Sequence, residues 1–132
     1  MGRPILTTLL LDTHVWAWSL TDDRRISDPA RRWIAAADSI VVSAISFFEI
    51  AQKVRIGKWP EMAPQVDRLA ELLANQGATA LPLEPADCLA AGRLDWPHRD
   101  PFDRFLAATA LRRRIPIVSA DPVFDRLVQR IW

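Results

Sequence analysis

Short apolar runs of strand length alternate along the chain with longer stretches in which apolar residues recur at helical spacing. Ile5 to Leu11 is a nearly continuous apolar and threonine run, as expected of a central strand covered on both faces, and the segment from Asp12 to Trp18 turns toward a helix. Ser27 and Pro29 supply a cap and an early proline for a short helix over Ala30 to Ala37. Ile40 to Val42 is the next strand. Ser43 or Ser46 caps a helix running through Phe47, Phe48, Ile50, Ala51 and Val54 to Ile56, where Gly57 stops it. A helix over Ala63 to Ala74, a strand over Thr79 to Leu83, a helix over Pro85 to Gly92 and a polar loop over Arg93 to Asp100 follow. Phe102 to Arg113 is a strong helix, Ile115 to Ser119 a fourth strand, and a helix through Val123 to Val128 closes the pattern. Such alternation predicts an α/β fold, a parallel sheet with helices on both faces.

That architecture directs attention to the acids. In open α/β sheets ligands bind beyond the carboxyl ends of the strands, where strand order reverses. Asp12 and Asp121 each follow a predicted strand, and Glu49 and Asp103 lie in early turns of helices that begin on the same side. If the two strands are neighbours, all four carboxylates converge, and a hard divalent cation with oxygen ligands is the natural compensator of their charge. Each acid also has a plainer reading. Asp12 suits a helix cap, Glu49 is four positions from Lys53, Asp103 is bracketed by Arg99 and Arg104, and Asp121 precedes Pro122 as a cap. Four unrelated explanations are then needed at one end of one sheet, where a metal site needs one. Asp100, before Pro101, is sufficiently explained as a cap.

Composition narrows the classes without choosing one. The 132 residues are 50% apolar, enough for a single domain over 1–132 with a real core. Seventeen Lys and Arg against 16 Asp and Glu leave +1, so net charge does not mark a nucleic-acid binder. One cysteine, Cys88, excludes an intrachain disulfide framework and a cysteine-rich zinc site. With no signal peptide and no apolar stretch of membrane-spanning length, a cytoplasmic location away from membranes is expected.

Four motifs now fall in order: Leu9-Leu-Leu-Asp-Thr-His14, Val42-Ser-Ala-Ile-Ser-Phe-Phe-Glu-Ile-Ala-Gln-Lys53 with Gly57-Lys58, His98-Arg-Asp-Pro-Phe-Asp-Arg104, and Val118-Ser-Ala-Asp121. This sequence resembles the PIN-domain nucleases, in particular the VapC-type toxins of toxin–antitoxin pairs, from about Leu9 to the C-terminus. The resemblance implies a three-layer α/β/α domain with a central parallel sheet of four or five strands. It also implies an acidic Mg²⁺ or Mn²⁺ site and metal-dependent endoribonuclease activity on RNA phosphodiester bonds. The family's acids match Asp12, Glu49, Asp103 and Asp121, and Thr13 and Ser119 match its small hydroxyl positions near the metal. A homodimer and a cognate antitoxin protein, with a hetero-oligomer formed between them, are implied in the same way.

On that reading Asp12, Asp103 and Asp121 hold the ion directly or through water, while Glu49, also among the metal-facing acids, positions or deprotonates the attacking water. Positive charge for RNA is available at Lys53, Arg99 and Arg104, with Arg55 and Lys58 nearby. Arg112 to Arg114 reads more simply as a solvated helix end that favours the dipole. His98 and His14 read as structural as readily as catalytic. The six tryptophans read as core or half-buried fillers, and an exposed Trp59 or Trp96 would suit a partner interface. Two rivals stand beside the nuclease. A receiver-like phosphoacceptor would need a lysine after a late strand, where Ser119-Ala-Asp-Pro122 has none; a catalytically silent PIN-fold module would act only through its partner.

Overall fold

The computed structural model describes residues 6–132. Five parallel strands form one sheet in the order β3-β2-β1-β4-β5: β1 Thr8–Leu11, β2 Ser39–Ser43, β3 Thr79–Leu81, β4 Ile117–Val118 and β5 Arg130–Ile131. Helices α1 Thr13–Ser19, α2 Asp28–Ala36, α3 Ala44–Arg55, α4 Leu69–Asn75, α5 Pro85–Arg93 and α6 Pro101–Arg113 complete a three-layer α/β arrangement. Of the expected first strand, Ile5 lies outside the described residues.

Residues in β1 alternate between two cores, as the strand period of two requires. Leu9 and Leu11 join Val15, Trp16, Ala30, Ile50, Leu69 and Leu73 on one side of the sheet. Leu10 joins Trp96, Leu106, Ala107, Ala110 and Phe124 on the other. With both faces covered, β1 has no polar face to show, which is why its sequence reads as an unbroken apolar run.

Boundaries follow local chemistry. Ser27 and Ser43 cap α2 and α3 through their hydroxyls, and Pro29 and Pro101 occupy first-turn positions that need no N–H. Gly57 and Gly77, at φ +77° and +72°, supply the left-handed residue after α3 and α4. Three expectations are corrected. The helix expected over Ala63 to Ala74 is split, with 3-10 turns at Pro60–Met62 and Val66–Arg68 and α4 only from Leu69. These turns flank Pro64, which has no N–H for a helical ladder. The closing helix is a 3-10 turn, Pro122–Arg126, and the chain after it pairs as β5. The strands expected over Ile115–Ser119 and Thr79–Leu83 shorten to β4 and β3. Among the described residues no helix is long and apolar enough to cross a membrane.

Candidate metal and nuclease site

Strand order reverses between β1 and β4, since β2 and β3 lie to one side of β1 while β4 and β5 lie to the other. Asp12 directly follows β1 and Asp121 lies three residues past the end of β4, so the two open into the same crevice. Glu49 reaches it from the second turn of α3 and Asp103 from the first turn of α6. All four line one cleft of about 450 Å³, together with Thr13, His14, Trp18, Lys53 and Asp100.

Each carboxylate has a protein partner. Asp12 Oδ1 accepts from the backbone N–H groups of His14 and Val15, at 2.7 and 3.3 Å, capping α1. Its Oδ2 accepts a 2.6 Å bond from the buried Ser119 hydroxyl, which also accepts the Asp121 N–H at 3.0 Å. Lys53 Nζ stands 2.5 Å from Glu49 Oε2 as an i,i+4 ion pair. His98 Nε2 is 2.7 Å from Asp103 Oδ2, and Asp121 Oδ1 caps the turn that follows it through the Val123 N–H. The plainer readings of Asp12, Glu49 and Asp121 are therefore present alongside convergence, not instead of it.

Burial is the electrostatic theme. Asp12 is held above the ordinary aspartate range chiefly because burial penalises its charge, against the Ser119 hydrogen bond, the nearby His14 and two backbone donors. Asp103 is pushed up to about 6, again chiefly by burial, with repulsion from Asp100 and Asp12 adding to it and His98 opposing it. Repulsion between Asp12 and Asp103 across the cleft is the kind of strain a cation relieves. The donor set suits a hard ion, because all its atoms are oxygens. Among the described residues, Glu49 Oε1, Asp103 Oδ1 and Asp121 Oδ2 accept no hydrogen bond, leaving lone pairs on three of the four acids. No three His, Cys, Asp or Glu side chains among the described residues already stand as a metal-holding cluster. The acids share a cleft without being drawn together.

The two small hydroxyls part company. Ser119 touches Asp12 directly, whereas Thr13, which lines the cleft, has its Oγ1 2.7 Å from Ser46 Oγ, and both residues are buried. Ser46, expected from sequence only as an alternative cap, is instead the buried partner of Thr13; its place on the same face of α3 as Glu49, three residues on, was the available signal.

Of the expected cations, Lys53 lines the cleft, whereas Arg99, next to His98 in sequence, is exposed and is not among the cleft-lining residues. Arg104 is corrected. Its guanidinium donates to the carbonyls of Ala91, Gly92, Leu94, Trp96 and His98, so it organises the 91–98 segment and has no fork left for a phosphate. Asp100 caps α6 through the Phe102 and Asp103 N–H groups, as expected. Arg112 is not simply solvated, because it pairs with the buried Asp87 on α5. Trp96 is buried and Trp59 half-buried; Trp33, at 46% exposure, is the exposed tryptophan.

Comparison with known proteins bears on the family and the fold. The family model for the PIN domain matches residues 9–129. Over 119 residues, 88% of either chain, the sequence is 34% identical to Ribonuclease VapC22 of Mycobacterium tuberculosis (strain ATCC 25618 / H37Rv). Among solved structures, DNA-bound VapBC from Salmonella typhimurium superposes with a TM-score of 0.66 at 15% identity, covering 96% of this chain and 97% of that one. VapBC2 from Rickettsia felis, bound to a DNA fragment from the promoter, gives 0.64 at 12%, covering 96% and 100%. VapC20 of Mycobacterium tuberculosis, described as a Sarcin-Ricin loop cleaving toxin, gives 0.62 at 18%, covering 94% and 99%.

Proposed function

This chain belongs to the PIN domain family, among its VapC-type members, and from that premise we propose that it is an endoribonuclease that works with a divalent cation as the toxin of a toxin–antitoxin pair. The observation that carries the reading is the meeting of Asp12, Glu49, Asp103 and Asp121, from four separate elements, in one cleft at the strand-order reversal. Asp12, Asp103 and Asp121 would hold Mg²⁺ or Mn²⁺, with Glu49 beside them. Bound there, the cation would offset the negative charge that builds on the scissile phosphate.

The remaining work falls to the chain itself. Glu49 Oε1, which accepts no hydrogen bond among the described residues, takes the proton of the attacking water, while Lys53 on Oε2 orients the carboxylate. Ser119 and the two backbone donors of α1 fix the orientation of the Asp12 carboxylate at the cleft. His98 orients Asp103. Exposed Arg99 and the rim Lys53 supply positive charge for RNA phosphates. The partners on this reading are an RNA substrate, a cognate antitoxin protein, as in the toxin–antitoxin complex from Klebsiella pneumoniae that shares the fold, and a second copy of the chain.

A second reading, a partner-binding module without catalysis, draws on the ties of Glu49 to Lys53 and of Asp103 to His98 and on the lack of a ready-made cluster among the described residues. RNA cleavage by antitoxin-free wild type and Asp12→Asn, with Mg²⁺ or Mn²⁺ and with chelator, separates the two. Cleavage that needs the ion and Asp12 is expected. Absence of ion-dependent cleavage on every RNA tested favours the binding module, and cleavage persisting in chelator overturns the metal site.

A further inference from the structure

Beside the acid cleft runs a groove of different chemistry. His14 stacks on Trp59 with ring centroids 4.6 Å apart and planes 24° from parallel, and Trp18 stands tilted against the same histidine at 6.0 Å. The Arg25 guanidinium lies 5.0 Å from the centre of the Trp18 ring, held there by Asp23 through two hydrogen bonds of 3.1 and 2.7 Å. Lys53 Nζ lies 5.8 Å from the Trp59 ring centre. With Lys58 and Glu61 these residues enclose about 390 Å³. His14, Trp18 and Lys53 line both the groove and the acid cleft, so the two form one continuous depression.

Core packing explains only part of this. Trp18 and Trp59 rest against the buried cluster, which accounts for their inner faces. It does not account for an exposed histidine stacked on one of them, nor for Lys58 on the same wall beside Arg25 and Lys53, which Asp23 and Glu49 hold against the two rings. Aromatic faces interleaved with Lys and Arg are how proteins hold single-stranded nucleic acid: bases stack on the rings and cations follow the phosphates.

We propose that this groove is a nucleotide subsite, taking one unpaired RNA base next to the phosphate that the acids face. The base stacks on the platform made by His14 and Trp59, Arg25 and Lys58 meet the flanking phosphates, and Glu61 accepts a hydrogen bond from an amino group or a 2′-hydroxyl. A base inside a duplex is already stacked on its neighbours, so the subsite selects single-stranded loops over helices. The inference rests on the ribonuclease reading and adds to it where the substrate lies.

The test is the binding of a labelled single-stranded RNA oligonucleotide to the full chain in chelator at fixed salt, with an abasic site moved along the oligonucleotide one position at a time. At one position the abasic site weakens wild-type binding by about fivefold or more. His14→Ala and Trp59→Leu weaken binding of the intact RNA to a similar degree and are indifferent to the abasic site, while Trp59→Phe, which keeps a ring, binds as wild type does. Thermal melts of each variant separate lost stacking from lost folding. A flat abasic scan, or His14→Ala binding intact RNA as tightly as wild type, overturns the subsite. Cleavage of the same oligonucleotide and of the other RNAs with Mg²⁺ is the separate arm: cleavage with a flat scan removes the subsite alone, and absent cleavage of every RNA with a position-dependent scan removes the ribonuclease reading while the subsite stands.

Discussion

The Ser119 hydroxyl donates a 2.6 Å hydrogen bond to Asp12 Oδ2, tying together the ends of two adjacent parallel strands whose residues lie 107 positions apart in sequence. The same oxygen accepts the Asp121 N–H, so one buried hydroxyl positions two of the four acids. Its bond is also the largest influence that keeps the buried Asp12 from rising further from the ordinary aspartate range. Ser119→Ala removes that influence and leaves a buried carboxylate short of a donor, at a cost of about 1–3 kcal/mol. The expected outcome is a lower melting temperature and an acid limb of the pH–rate profile moved to higher pH, since Asp12 must lose its proton to face a cation. An unmoved limb in a folded Ser119→Ala protein would show that Asp12 ionisation does not limit activity.

Asp103 makes stability depend on pH in the opposite direction from an ordinary ion-paired carboxylate. Its folded-state value is about 6 against an unfolded 3.8. The folded protein therefore binds the proton more tightly, and this group favours folding below about pH 4 and loses that contribution as pH rises through about 6. Asp12, raised for the same reason of burial, acts in the same sense. Metal-free wild type is accordingly expected to lose melting temperature between pH 4.5 and 7. Asp103→Asn should flatten that slope, be the more stable protein at pH 7 by about 1–2 kcal/mol, and fail to cleave RNA. Mg²⁺ or Mn²⁺ should raise the melting temperature of wild type at pH 7 and leave Asp103→Asn nearly unchanged, because only a ligand bound to the folded state stabilises it. Parallel wild-type and Asp103→Asn melting curves across this range would contradict the assignment.

What the sequence could reveal of this site depended on whether partners leave a pattern. β1 was legible because burial on both faces makes an unbroken apolar run, and Asp12 stood out as the charge that ends it. The i,i+4 spacing of Glu49 and Lys53 was equally visible. β4 was legible as part of the run Ile115 to Ser119, whereas β5 has two residues, too few for any period, and owes its strand form to pairing with β4. Arg104 misled because its partners are backbone carbonyls, which every residue carries and no sequence pattern marks.

Glu49 and Lys53 should separate catalysis from folding. The Glu49 side chain is 7% exposed and that of Lys53 27%, so the pair is largely withdrawn from water. Glu49→Gln keeps the shape, removes the base, and is expected to lower the cleavage rate by about 10²- to 10⁴-fold with a small change in melting temperature. Lys53→Met leaves Glu49 buried without its cation, and removing one partner of a withdrawn pair costs several-fold more stability than an exposed pair is worth. The double variant should recover part of that loss. A double-mutant cycle on melting free energy with no coupling would mean the 2.5 Å contact contributes nothing.

Arg104 is the last test, because it acts on the site only through the loop that carries His98. Its five donor contacts span carbonyls from Ala91 to His98, and His98 in turn holds Asp103. Arg104→Ala frees those carbonyls at once, and a loss on the order of 3 kcal/mol is expected. Arg104→Lys should recover little of it, since a single ammonium cannot replace a planar fork aimed at five oxygens. Were Arg104 a phosphate contact instead, the charge-keeping lysine would restore RNA affinity and the melting temperature would hardly move. Amide exchange in the 91–98 segment decides between these: faster exchange in both variants follows from the clamp, and unchanged exchange with weakened RNA binding would return Arg104 to the substrate.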